Sequence, residues 1–294
     1  MTRGERKTLW LGLAFISPWI VGVLVFALYP VVASIGYSFC DYDVLSKPVW
    51  VGAMNYRDMA LDAVFWKSLR NTLFFAAWAL PLGLVVSLFT AVLLNQPVRG
   101  RSLFRTIFFL PSLVPVVAGG MIWLWILNGR FGLLNAGLAA IGIEGPQWLA
   151  DENWTKPSII LMSLWGVGNT VVIYLAALQD VPRSLYESAE LDGAGAWTKL
   201  RRITIPLISP VIYFNLIMGI IGSLQVFAQP FVMLGGGGPN RSALFYAVYL
   251  YQNAFEYRQM GYACAMAWVL FILILILTWA ATRTTRRHIY YAGE

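Results

Sequence analysis

Four side-chain amides, Asn169, Asn215, Gln225 and Gln229, and one indole, Trp165, stand inside long apolar runs that contain no Asp, Glu, Lys, Arg or His. An amide offers two donors and an acceptor, and an indole offers an apolar ring face. With the small Gly219 and Gly222 beside them, these groups suit an uncharged polyhydroxylated ligand, the amides for hydroxyls and the ring for the apolar face of a sugar. Trp165 and Asn169 are four residues apart, so a continuous helix puts them on one face. Asn215, Gly219, Gly222 and Gln229 share a second face, with Gln225 at its edge. Buried Asn and Gly also serve plain helix packing, and for Asn169 and Asn215 the spacing does not separate the two roles. Gln225 and Gln229 lie nearer the end of their run, where a gate would be. No catalytic constellation and no metal site are expected: the single His288 sits in a basic tail, and Cys40 and Cys264 are isolated.

A second group of residues lies between two of the apolar runs, in ESAELDGAGAWTKLRRITIP, residues 187–206. Its first half is acidic, with Glu187, Glu190 and Asp192. Gly193 and Gly195 allow a sharp turn. Its second half is basic, with Trp197, Leu200 and Ile203 at helical spacing among Lys199, Arg201 and Arg202. Pro182 suits the first turn of a short helix, with Asp180 close enough to cap it, and Pro206 is expected to open the next run. The basic half fits a membrane surface, whereas the acidic half is repelled by anionic headgroups and is better placed against protein.

These two groups need scaffolding, and the composition names it. The chain has 294 residues, 59% of them hydrophobic and only 12% charged, about half the charge of a soluble domain. Six runs are long enough to cross a bilayer as helices: Leu9–Leu28, Thr72–Leu94, Thr106–Leu127, Ser158–Leu178, Leu207–Phe227 and Gly261–Ala281. By rise per residue, Asn169 and Asn215 fall near the middle of theirs. The first run is too long for a cleaved leader and reads as an uncleaved span. Pro18, Pro81, Pro111, Pro115, Gly166 and Gly168 interrupt the spans and permit close packing. Trp123, Trp125 and Trp148 are expected in an interfacial belt.

Charge orients the bundle. With the N-terminus inside, the inner segments hold Arg3, Arg6, Lys7, Arg99, Arg101, Arg105, Arg183, Lys199, Arg201, Arg202, Arg283, Arg286 and Arg287, which is 13 of the 21 Lys and Arg. The inner acids are Glu5, Asp180, Glu187, Glu190, Asp192 and Glu294. The expectation is therefore an all-α integral membrane protein with both termini inside. The basic charge is spread over separate segments, which argues for topology over nucleic acid. Uncharged spans argue against an ion-coupled carrier. The chain has no GxxxxGK[ST] loop, and the glycine run Gly235–Gly238 before Pro239 reads as a flexible outer loop. Uphill transport would need energy from another polypeptide.

The segment 187–206 resembles the EAA motif of binding-protein-dependent ABC importer permeases: Glu187, Ala189, Gly193, Ile203 and Pro206 stand at its spacing, and Asp192-Gly193-Ala194 is typical of the family. Ser188 and Ile205 replace the more usual Ala and Leu. FALYPVVASIGYSF, NYRDM, FWKSLRNTLFFA, RTIFFLPSLVP and GGGGPN extend the likeness over most of the chain, toward the carbohydrate group and the first of its two unlike permeases, as in maltose-type and glycerol-3-phosphate-type importers. The resemblance implies one permease domain over residues 1–294 with a MetI-like, type I importer bundle, in a bacterial or archaeal cell (inner) membrane. It implies that 180–206 is a cytoplasmic coupling segment, with Glu187, Ala189, Asp192, Gly193, Ile203 and Pro206 docking an ATPase. The implied partners are a second, different EAA permease, two copies of a cytoplasmic ABC ATPase that carries ATP and Mg, an extracytoplasmic solute-binding protein and membrane lipid. The chain itself would hold no cofactor. The implied cargo is a sugar or oligosaccharide; a glycerol-3-phosphate or other polyol-phosphate importer, or a stand-alone carrier, is the alternative.

Overall fold

The computed structural model describes residues 3–97 and 99–285; Arg286, Arg287, His288 and Glu294 of the basic tail lie outside them. The chain divides into two compact units, Met1–Asp62 with Leu250–Phe271, and Ala63–Tyr249 with Ile272–Glu294.

In the first unit, α1 (Arg3–Val23) runs through a π-helical turn at Leu24–Leu28 into α2 (Tyr29–Tyr37). Together they form an apolar stretch of 34 residues from Gly4 to Tyr37, well beyond the expected Leu9–Leu28. Pro30 explains why the helix survives: a proline lacks the N–H and crowds the carbonyl four residues back, and the wider π turn just before it accommodates both. A two-stranded ribbon follows, β1 (Cys40–Asp41) antiparallel to β2 (Val49–Trp50), then α3 (Met54–Leu61). Asn55 locks this corner by donating to the carbonyls of Ser38 and Cys40, each at 2.9 Å. The indole of Trp268 donates to Ser34 Oγ at 3.0 Å.

In the second unit, α4 (Ala63–Asn95) is 33 residues long. It begins nine residues before the expected Thr72, because Lys67 and Arg70 end the apolar run without ending the helix. α5 (Arg101–Phe109) and α6 (Val116–Ile126) form the third span, bent by 100° between them. The bend is chemical: Pro111 sits in a short 3-10 turn, Leu110–Leu113, and Pro115 forces Val114 into extended backbone, with ψ 126. α7 (Leu133–Ala140) lies beyond it. α8 (Glu152–Trp165) and α9 (Gly168–Gln179) form the fourth span with a 46° bend at Gly166–Val167.

The remaining helices are α10 (Arg183–Leu191), α11 (Ala196–Lys199), α12 (Ile205–Leu207), α13 (Ser209–Leu224), α14 (Ala228–Leu234), α15 (Tyr246–Tyr251) and α16 (Met260–Thr285). Among the described residues four stretches are long and apolar enough to cross a membrane as continuous helices, and counting each of the two bent pairs as one span brings the number to six. The six expected spans are all present, with two of them broken and most of them longer.

A core cluster joins Ala91 and Leu94 of α4 to Val171, Tyr174, Leu175 and Leu178 of α9. Gly168 lets α9 come close to α5 as well: a β-carbon there would come within 2.9 Å of the Phe108 carbonyl oxygen. Gly120 does the same for α6 against Val232 of α14. The glycine run 235–238 leads into a segment held by α4, and the Gly237 carbonyl accepts from the Ala243 N–H at 2.8 Å. Asn71, nearly fully buried, donates to the carbonyls of Arg241 and Leu244 at 3.0 and 3.1 Å and accepts from Lys156 at 3.2 Å. Thr72 Oγ1 accepts from the Tyr246 N–H at 2.8 Å. Buried backbone groups in Ser242–Phe245 need partners, and α4 helps to supply them.

Candidate functional site: an uncharged cavity and a helical segment

A cavity of about 610 Å³ opens between α4, α9 and α13. Asn215, Gly219, Gly222, Gln225 and Gln229 all line it. Asn215 is buried, and its amide nitrogen donates to the Val211 carbonyl one turn back at 3.0 Å. Gly219 lies against the Leu80 side chain, and Gly222 faces open space. Gln225 ends α13, and Gln229 sits in α14 beyond a break at Phe227, where φ is −133°. Apolar walls come from Phe75, Leu80, Met218 and Phe227. Among the described residues no charged side chain lines the cavity.

Trp165 and Asn169 do not line it. The expected shared face requires a continuous helix, and the 46° bend falls between them. Trp165 turns instead to Trp123, ring edge to face at 6.1 Å between centroids, while Asn169 is exposed. In their place Ser163 and Thr170, on either side of the bend, and Ser223 of α13 line the cavity. Sequence reading passed over these because short hydroxyl side chains inside apolar helices usually bond their own backbone, as Ser163 does to Ile160 at 2.6 Å and Ser223 to Ile220 at 3.2 Å. Of the three tryptophans expected in an interfacial belt, Trp125 is exposed, whereas Trp148 donates to Asn135 Oδ1 at 2.6 Å and packs on Trp154.

The segment 180–206 is a helical hairpin. α10 starts after Pro182, which is itself the N-cap; Asp180 instead ends α9, correcting the expected cap. α10 stops in a Schellman turn: Gly193 N–H bonds the Glu190 carbonyl at 3.0 Å and Ala194 N–H bonds that of Ala189 at 2.8 Å. Gly193 takes φ +74° there. Gly195, at φ −70°, does not need to be glycine. α11, a π turn at Leu200–Thr204 and α12 carry the chain back, and the long helix α13 opens at Ser209, not at Pro206, because Ile208 leaves helical geometry.

Two contacts hold the hairpin in shape. Lys199 Nζ meets Glu190 Oε1 at 2.7 Å, and the hydroxyls of Tyr186 and Thr204 lie 2.8 Å apart. Tyr186 and Ile203 pack on the α4–α9 core cluster, so the hairpin's base is anchored in the spans. Its outer surface is unusual for a solvated loop. Glu187 and Asp192 are exposed beside Leu191 and Trp197, which are 91% and 71% accessible.

The family profile described as binding-protein-dependent transport system inner membrane component matches residues 80–289. The chain belongs to this family. It is 37% identical, over 297 residues, to the probable ABC transporter permease protein YesP of Bacillus subtilis (strain 168), with 100% of this chain and 96% of that one covered. It is 35% identical over 274 residues to the lactose transport system permease protein LacF of Rhizobium radiobacter, covering 91% of each. Among solved structures, a bacterial ABC transporter involved in the import of the acidic polysaccharide alginate aligns with a TM-score of 0.85 at 25% identity, over 97% of this chain and 98% of that one. The architecture is thus that of an ABC importer permease. As an inner membrane component, the chain is a multi-pass membrane protein and a transport component, not an enzyme.

Proposed function

We propose that this chain is the permease subunit of an ATP-driven importer for an uncharged sugar or oligosaccharide in a bacterial or archaeal cell membrane. In this reading residues 1–294 act as one permease domain with both termini cytoplasmic. A second, different EAA permease completes the translocation pathway, two copies of a cytoplasmic ATPase bind ATP and Mg, and an extracytoplasmic solute-binding protein delivers the cargo.

The observation that carries the cargo class is the cavity itself: amides and hydroxyls spaced along apolar and aromatic walls, without a charged side chain. Such a surface exchanges hydrogen bonds with hydroxyls and does not offset the charge of a phosphate. The relatives named for lactose and for arabinooligosaccharides agree with that chemistry. Asn169, exposed outside this cavity, and Trp165 reach cargo only along the face that the second permease closes.

The coupling role rests on the hairpin 180–206. Its exposed acids and apolar side chains form a surface suited to a protein partner, and its base leans on the spans that wall the cavity. Glu187, Ala189, Asp192 and Gly193 would dock the ATPase, while Ile203 and Pro206 pass its motion to α13.

The test of the cargo reading is uptake by the complete assembly in proteoliposomes. Neutral disaccharides should compete with one another, and Asn215→Ala or Gln229→Ala should raise the concentration needed for half-maximal uptake about tenfold, the worth of one well-made hydrogen bond. Uptake of a polyol phosphate in preference to the neutral sugar would overturn it.

A further inference from the structure

A second cavity, of about 240 Å³, lies between the end of α4, the second half of α5 and the length of α9, with Leu94, Arg105 and Gln179 at one end. Leu94, Phe109, Val172 and Leu175 make it apolar, and only two strongly polar side chains enter, Arg105 and Gln179. The same ends of α4 and α9 carry the base of the hairpin 180–206, so the cavity belongs to the inner end of this unit. Arg105 is poorly satisfied there. Its Nε is buried with no hydrogen-bond partner, its Nη2 reaches only the Leu94 carbonyl at 3.5 Å, and it forms no ion pair among the described residues. A guanidinium cannot shed its proton to relieve this. A guanidinium whose Nε is cut off from water in an apolar wall is best satisfied by an anion.

We propose that this cavity binds the phosphate of an anionic phospholipid from the inner leaflet. The planar fork of Arg105 matches a phosphate oxyanion, and the amide of Gln179 adds a donor. The acyl chains follow the exposed flank of Phe108 and Val172. Arg99 and Arg101, both exposed beside the mouth, add long-range attraction for an anionic leaflet. The lipid would then wedge α5 against α9 directly above the hairpin. The proposal uses the inward orientation of this end and does not depend on which solute is carried.

The assembled transporter, in phosphatidylcholine vesicles doped with spin-labelled phosphatidylglycerol, tests it. Wild type should immobilise the labelled lipid. Arg105→Gln and, independently, Gln179→Leu on the exposed end of α9 should weaken that association, about tenfold for the arginine. Arg105→Lys, which keeps charge but not the fork, should fall between. Arg57→Gln, exposed on α3 and outside the cavity, should behave as wild type. Equal immobilisation by wild type and Arg105→Gln would overturn the site. So would an Arg105→Gln assembly that keeps its lipid and loses the second permease, since the arginine would then pair with a carboxylate of that subunit. Displacement of the labelled lipid by inorganic phosphate alone would reassign the cavity to free phosphate and overturn the lipid.

Discussion

At Gly193 the reason for glycine is conformational. A β-carbon there would meet no atom within 4 Å, yet φ is +74°, a region that β-branched side chains avoid. Gly193→Asn should therefore retain most transport and Gly193→Val should lose it, while both insert normally; transport rates of the assembled complex decide this. Equal rates for the two variants would contradict the turn as the cause. This need for glycine was legible in the sequence, because the acidic helix had to stop before a basic one. The pairing of Trp165 with Asn169 was misread. A four-residue interval defines a shared face only when nothing breaks the helix, and Gly166 stood between them. The hydroxyls of Ser163, Thr170 and Ser223 gave no signal at all, since their types are common packing residues in membrane helices.

At the scale of elements, hydropathy located every span but missed their ends. Lys67 and Arg70 leave the apolar run while staying in α4, and Pro30 is absorbed by a π turn. Pro111 and Pro115 marked a break, but the 100° angle depends on Val114 being extended and was not readable beforehand. Packing between elements yields two contrasts. Gly168→Val would drive a side chain into the α5 backbone, with the Phe108 oxygen at 2.9 Å, and should lower the melting temperature of the assembled protein by the equivalent of about 1–3 kcal/mol. Gly222→Ala, with nothing within 4 Å, should leave it unchanged. Similarly, Asn71→Leu strands the Arg241 and Leu244 carbonyls, at about 1–3 kcal/mol for each buried group. The 235–245 segment, closed in wild type, should become susceptible to limited proteolysis. Resistance equal to wild type would show that Asn71 does not hold it.

For the whole molecule, the one-sided distribution of Lys and Arg makes orientation testable apart from the fold. A cysteine placed in 136–145 should react with an impermeant thiol reagent added outside sealed cells, and one at Ala196 should be protected. The reverse pattern would move the hairpin to the wrong side for an ATPase. The proposed division of labour gives the spans an uncharged path and brings chemical energy in at residues 180–206 from another subunit.

That entry of energy is the central claim, and Glu187 examines it most directly. Glu187 is exposed on α10, forms no ion pair among the described residues, and stands beside the apolar Leu191. Reversing its charge leaves the hairpin's internal contacts, Lys199–Glu190 and Tyr186–Thr204, in place. A mispaired charge at a closed interface costs about 2–5 kcal/mol, enough to break docking without unfolding the spans. The measurement is sugar uptake together with ATP hydrolysis by proteoliposomes containing both permeases, the ATPase and loaded binding protein, with wild type compared to Glu187→Lys. The account predicts that the variant assembles with the second permease, loses uptake, and hydrolyses ATP slowly or without response to loaded binding protein. Full uptake with ATP hydrolysis still stimulated by loaded binding protein would contradict it.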